Sequence, residues 1–160
     1  MPEPVSANYT GIAAPSTHPA ALVGTRPVAS GLAMKYRHPV LVWLLWPMLT
    51  FGIYHYVWYY KIHKEMAEFD RRRTVPVAGP LLVILFLGWT FIAPMVSYYN
   101  TGVRIRAAQR AAGLRESCSP GIGCVLMLFI GLGVLYYQIE LGKITAAYEV
   151  PAGTQISLYG

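Results

Sequence analysis

The amino-acid sequence predicts an all-α membrane protein of three hydrophobic helices, the first kinked or re-entrant, joined by basic amphipathic interfacial helices. Three observations lead there. Hydrophobic residues make up 55% of the 160-residue chain and charged residues only 12%, against roughly 25% charged in ordinary globular domains. The apolar residues are gathered: 39–60, 75–99 and 120–139 contain no Lys, Arg, Asp or Glu, and a helix of about 20 such residues crosses roughly 30 Å of hydrocarbon. Finally, Tyr and Trp crowd the end of the first block, from Thr50 to Lys61, and rings with a polar tip favour the border between lipid and water.

The expected organisation is a tail, a membrane domain and a second tail. Residues 1–34 hold Pro2, Pro4, Pro15, Pro19 and Pro27 among Ala, Ser, Thr and Gly, without apolar periodicity; such composition predicts a disordered tail. No continuous apolar core follows a basic start, so it does not read as a secretory signal peptide. Lys35-Tyr36-Arg37-His38 then forms a basic collar before Pro39, which suits a first helical turn. The helical membrane domain is expected over 35–148 and a flexible C-terminal tail over 149–160.

Inside the first block, Pro47 removes a backbone donor and Gly52 follows, so both are expected to break the helix. They divide it into an entry arm, 39–51, and an aromatic exit arm, 53–60. Residues 61–74 continue as an amphipathic helix: Ile62, Met66 and Phe69 share a stripe, while Lys61–Glu65 and Lys64–Glu68 are spaced to pair. Arg71-Arg72-Arg73 closes it. The second block carries Pro76, Gly79, Pro80, Gly88 and Pro94. A second amphipathic segment follows, with Val103, Ala107, Ala111 and Leu114 as its apolar stripe and Arg104, Arg106, Arg110 and Arg115 around the rest. The third block, opened by Pro120-Gly121, holds several small residues that permit close helix approach.

A weak repeat runs through these blocks. Val57-Trp58-Tyr59-Tyr60-Lys61, Val96-Ser97-Tyr98-Tyr99-Asn100 and Val134-Leu135-Tyr136-Tyr137-Gln138 align without gaps. A period of this size points to a repeat, although interfacial Tyr also recurs wherever membrane helices end. The basic residues do not decide an orientation: three simple crossings divide them almost evenly between the two sides. A first block that dips in and turns back at Pro47–Gly52 is the alternative to three crossings.

The passage Tyr36-Arg37-His38-Pro39, Thr50-Phe51-Gly52-Ile53-Tyr54 and Trp58-Tyr59-Tyr60-Lys61 resembles the bacterial membrane family called domain of unknown function 4234. The later Tyr136-Tyr137-Gln138-Ile139-Glu140-Leu141-Gly142-Lys143 is similar to that family's closing segment, with Gly142 where Asn is expected. The resemblance covers roughly 35–147. It implies a small multi-pass helical membrane protein; it supplies no activity, because the family is named for lacking an assigned one.

No catalytic, metal or cofactor constellation emerges. His55 and His63 are two turns apart, too far to share a metal without other ligands. Cys118 and Cys124 lack zinc spacing and read as small residues opening a membrane helix, or as a disulfide across a Pro-Gly turn. Glu140 lies near enough to Lys143 to pair with it. The expected role is therefore that of a non-enzymatic integral membrane protein of the cell membrane, binding anionic lipid head groups or a membrane partner. The rival reading is an oligomeric channel or transporter component; a homo-oligomer is left open and nucleic acid is not expected. The candidate lipid-interface residues are Arg71, Arg72, Arg73, Arg104, Arg106, Arg110, Trp58, Tyr59, Tyr60, Tyr98, Tyr99, Tyr136 and Tyr137.

Overall fold

The computed structural model describes residues 26–159; residues 1–25 of the expected N-terminal tail lie outside the described residues. Each uncharged block is split into two shorter helices. In the first, a π-helical turn over Leu41–Leu45 runs into α1 (Trp46–Leu49), and α2 (Ile53–Phe69) leads away. Pro47 offers no N–H to the carbonyl four residues back and its ring presses on it; the wider turn just before gives that room. In the second block, α3 (Ala78–Leu87) and a 3₁₀ turn (Gly88–Thr90) give way to α4 (Ile92–Ala111). In the third, α5 (Pro120–Met127) is followed by α6 (Leu132–Tyr148). The chain is thus three helical hairpins in a row.

This corrects the expected fold. Among the described residues no helix is long and apolar enough to cross a membrane. The 20-residue α4 is long, but its second half carries Arg104, Arg106 and Arg110. The physical reason is backbone conformation at the tips. Phe51 and Gly52, Phe91, and Ile130 and Gly131 all take positive φ, a geometry that ends a right-handed helix. Three expectations fall with the crossing helices: multi-pass placement in the cell membrane, membrane lipid or a membrane protein as partner, and the channel reading.

The tips are built alike in the first two hairpins. Thr50 donates its hydroxyl to the Trp46 carbonyl at 2.8 Å and accepts the Tyr54 N–H at 2.9 Å. Thr90 donates to the Leu87 carbonyl at 2.7 Å and accepts the Ala93 N–H at 3.4 Å. One hydroxyl therefore satisfies an orphan acceptor of one helix and an orphan donor of the next. The third tip has Phe129-Ile130-Gly131 instead and relies on its backbone: Leu132 N–H bonds Phe129 O at 3.0 Å.

The core lies among α2, α4 and α6. Trp58, Tyr59, Ile62, His63, Met66 and Phe69 form the buried face of α2, recurring every three to four residues as a helix packed on one side must. The same face of α4 holds Tyr98, Thr101, Ile105 and Ala108, and that of α6 holds Val134, Tyr137, Leu141 and Ile144. The expected stripe on α4 is therefore rotated: Val103 is exposed, whereas Ile105 is buried. The Tyr pairs also fall in a corrected register. Tyr59, Tyr98 and Tyr137 are the buried rings, so the third hairpin presents the second tyrosine of its pair.

Cross-contacts fix the directions. Trp58 reaches Gln138, and farther along the same helices the Phe69 and Tyr148 rings stand 6.1 Å apart. Tyr137 reaches Tyr98, and farther along Gln109 reaches Glu140. The three long helices run parallel, so all three tips lie at one end. The opposite end is closed by a two-stranded antiparallel sheet, β1 (Ala29–Leu32) on β2 (Gln155–Leu158), with Ala29 opposite Leu158. Both strands fall inside stretches expected to be tails. Cys118 and Cys124 are free thiols, the first buried.

Candidate docking surface

The tip end is apolar and bare. Phe51 is 97% exposed, Trp89 81% and Ile130 89%; Met48, Leu49, Phe86, Phe91, Ile92, Leu128 and Phe129 are exposed beside them. Single exposed apolar side chains are ordinary, but a contiguous set of this size marks a surface made to be covered. No charged side chain belongs to any tip, since the three blocks that form them are uncharged.

The backbone holds this surface out at a cost. Phe51, Phe91 and Ile130 sit at φ 49°, 57° and 50°, where a side chain crowds its own backbone by roughly 1–2 kcal/mol. A chain selected only for tight turns would carry glycine there. Each tip instead places a large apolar residue at its strained position.

The charged residues lie toward the other end and pair with one another. Arg72 and Arg73 hold the nearly buried Asp70 carboxylate, at 3.0 and 3.4 Å. Arg106 and Arg110 both grip Glu116, whose carboxyl they hold below the usual range. Arg37 takes Glu65 in a forked pair, where the spacing on α2 had suggested Lys61. Lys64–Glu68 is a loose contact at 4.0 Å. Glu140 accepts from Lys143 at 2.6 Å and Gln109 at 2.8 Å; burial pushes its carboxyl up, but these bonds and one from Ser117 bring it below the usual value. Arg37, Glu65 and Lys64 also line an open groove of about 720 Å³ between the entry arm and α2.

Of the residues expected at a lipid interface, Trp58, Tyr59, Tyr98 and Tyr137 are core instead. Tyr60 and Tyr99 are exposed, and Tyr136 is half-buried with its hydroxyl taking the Ser119 N–H at 2.7 Å. Arg71 is exposed in the turn after α2. Tyr rings that looked interfacial are buried because each has a hydrogen-bond partner inside. Tyr59 bonds Ser97 and Thr101, both at 2.8 Å, and Tyr137 donates to the Tyr98 carbonyl at 2.7 Å. His55 contacts the Tyr98 hydroxyl. His63 bonds the Tyr59 carbonyl through Nδ1 at 2.8 Å and faces Thr101 through Nε2 at 3.3 Å. Burial lowers both imidazoles to about 4, so they are neutral at pH 7. Among the described residues no three His, Cys, Asp or Glu are grouped to hold a metal.

The first two hairpins share more than a shape: Thr50-Phe51 and Thr90-Phe91 occupy the same place in each turn. A family model described as Domain of unknown function (DUF4234) matches residues 38–107, from the collar to near the end of α4. The chain contains a DUF4234 region. That region holds the first hairpin whole and most of the second; the third hairpin lies beyond it. Neither the curated proteins nor the solved structures contain a match to the chain. Within the DUF4234 region, Thr-x-Gly-Ile-Tyr is the tip itself, with Thr50 as the double hydrogen-bond staple and Gly52 as the left-handed turn. The tip surface was missed in the sequence because its residues read as the middle of crossing helices. The recurring Thr-Phe dipeptide was the signal that could have located two of its three turns.

Proposed function

We propose that this chain is a non-enzymatic docking module whose three apolar tips close against the tips of a second copy. The exposed, uncharged tip end carries the reading, with Phe51, Trp89 and Ile130 as its most prominent side chains. A self-contact at that end suits a chain of net charge +6, because tip-to-tip pairing keeps the charged ends of both copies far apart. Burying eight large apolar side chains, four from each copy, is worth about 12–24 kcal/mol, against an association cost of roughly 4–15 kcal/mol. The absence of a catalytic role is supported by how the chemically capable groups are used: His63, Thr101 and Tyr59 are enclosed and spend their polar atoms on one another.

Sedimentation velocity of the full chain in detergent-free buffer tests this. The expected outcome is a concentration-dependent dimer, with a monomer for the triple variant Phe51→Ser, Trp89→Ser, Ile130→Ser of unchanged circular dichroism. A monomeric parent chain, an equally dimeric variant, or a chain that floats with phosphatidylcholine vesicles in preference to pairing overturns the reading.

A further inference from the structure

A second feature, independent of the tips, lies on the exposed side of α4. From Asp70 to Glu116 the chain carries seven arginines and no lysine, with those two residues as the only carboxylates of the stretch. All four lysines of the chain lie elsewhere. Arginine presents a planar fork of donors that matches two oxygens of one phosphate, which an ammonium does not. Arg73, Arg106 and Arg110 line an open groove of about 440 Å³, together with Tyr99. Arg104 is half-buried and lines a smaller cavity beside Asp70 instead.

The two carboxylates brace the cations of this groove without cancelling them. Glu116 takes the Nε of both Arg106 and Arg110, which leaves each guanidinium its Nη amino groups for a ligand. The two side chains are 50% and 55% exposed, so those donors are within reach. Arg73 gives its Nε to Asp70, which it shares with Arg72, and is 50% exposed. Arg71 and Arg115 stand exposed in the loops that hold Arg73 and Glu116. Along α4, Arg106 and Arg110 are one turn apart, about 6 Å by the helical rise, and Tyr99 lies about 10 Å before Arg106. The Tyr99 ring is itself exposed. Arginines in a row beside an open ring suit a strand of phosphates that carries flat bases. An acidic protein segment would use the arginines and leave the ring idle.

We propose that this groove holds a short stretch of single-stranded nucleic acid, with Arg73, Arg106 and Arg110 on its phosphates and a base stacked on Tyr99. Phosphate contacts and stacking carry no base code, so the binding tolerates any sequence. The expectation against nucleic acid rests on cations that flank uncharged blocks read as crossing helices; those blocks turn back as hairpins, and the objection goes with them. The groove lies toward the end of the bundle away from the tips, so a tip-to-tip pair leaves it open.

The test is fluorescence anisotropy of a labelled oligodeoxythymidine of about 12 nucleotides, titrated with the full chain between about 50 and 200 mM salt. Saturable binding is expected, weakening about 20-fold over that range as three neutralised phosphates of a single strand require. Arg106→Gln with Arg110→Gln, of unchanged circular dichroism, should weaken binding at least tenfold and flatten the salt dependence to about threefold. Tyr99→Ala should weaken it about fivefold or more and leave the salt dependence as it was, the mark of a stacking contact. Lys61→Gln with Lys64→Gln removes the same charge from exposed positions on α2 outside the groove and should bind like the parent chain. The proposal is overturned if binding does not saturate, if the lysine pair costs as much as the arginine pair, if Tyr99→Ala binds like the parent, or if a duplex of the same length binds more tightly. It is overturned equally if polyaspartate competes as well as the unlabelled oligonucleotide, which assigns the groove to an acidic protein segment.

Discussion

Trp58 donates its indole N–H to the Gln138 side-chain carbonyl across 2.8 Å, joining the first hairpin to the third. Both residues are buried, Trp58 completely. Gln138→Leu removes the acceptor and leaves the indole N–H enclosed without one, at a cost of about 1–3 kcal/mol. Urea unfolding of the variant should show that loss with an unchanged slope. A cost under about 0.5 kcal/mol would mean that Trp58 finds another partner and that the hairpins are joined by apolar packing alone.

The paired threonines at the tips make a second prediction. Thr50→Val keeps the shape and removes both hydroxyl bonds, to the Trp46 carbonyl and from the Tyr54 N–H. Loss of a cap of this kind costs roughly 0.5–2 kcal/mol. Thr50→Ser keeps the hydroxyl and should recover most of it. Amide exchange at Tyr54 reports the effect directly: it should speed up in the valine variant and return toward the parent rate in the serine variant. Equal protection in all three chains would remove Thr50 from the account of the turn.

Gly121 and Gly123, two residues apart on α5, should respond in opposite directions. A Cβ at Gly123 would lie 2.2 Å from the Tyr137 ring, which is buried and fixed by its bond to the Tyr98 carbonyl. Gly123→Ala must therefore displace the ring or separate α5 from α6, at about 1–3 kcal/mol. A Cβ at Gly121 meets nothing within 4 Å, and alanine there should stabilise α5 by roughly 0.5–1 kcal/mol. Thermal melts that moved both variants the same way would contradict this packing.

What the sequence made legible follows from which physical signals are local. The stripe Ile62, Met66 and Phe69 is a one-helix pattern, and all three are buried. Glu140 and Lys143 are neighbours on one helix, and they pair. Gly52 turns the first tip because a left-handed residue just after a proline-broken helix is written in two letters five positions apart, Pro47 and Gly52. The second tip was illegible for the opposite reason: Phe91 occupies a left-handed conformation it does not prefer, so propensity continues a helix where the fold reverses. The third carries Gly131 in the left-handed region as the first carries Gly52, but without a proline in the turn before it. Once those reversals are missed, every uncharged block looks long enough to cross hydrocarbon, and Trp58, Tyr59, Tyr98 and Tyr137 look like an interface. Their internal partners come from hairpins about 40 residues away or farther, a relation no local pattern contains. The cavity lined by Asp70 and Arg104 was hidden likewise, since it forms only where the end of α2 lies beside α4.

The buried histidines predict a direction of acid sensitivity. His63 is fully buried, bonds the Tyr59 carbonyl through Nδ1, and faces Arg104 and Thr101. Burial lowers its pKa from 6.5 to about 4; the Tyr59 bond opposes that shift and the Arg104 charge adds to it. The folded chain therefore keeps His63 neutral between pH 6.5 and 4, while the unfolded chain takes up a proton. Stability is present above the unfolded value and is lost as pH falls through this window, levelling off below the folded value. Between pH 7 and pH 5 one such histidine accounts for about 2 kcal/mol. His55 shares the shift and contributes in both chains of a comparison, so it cancels. Denaturant unfolding of the parent and of His63→Gln at the two pH values isolates the His63 share: the pH-dependent loss should be smaller in the variant by about 2 kcal/mol. If the two chains lose the same stability between pH 7 and pH 5, His63 is not held neutral by the core.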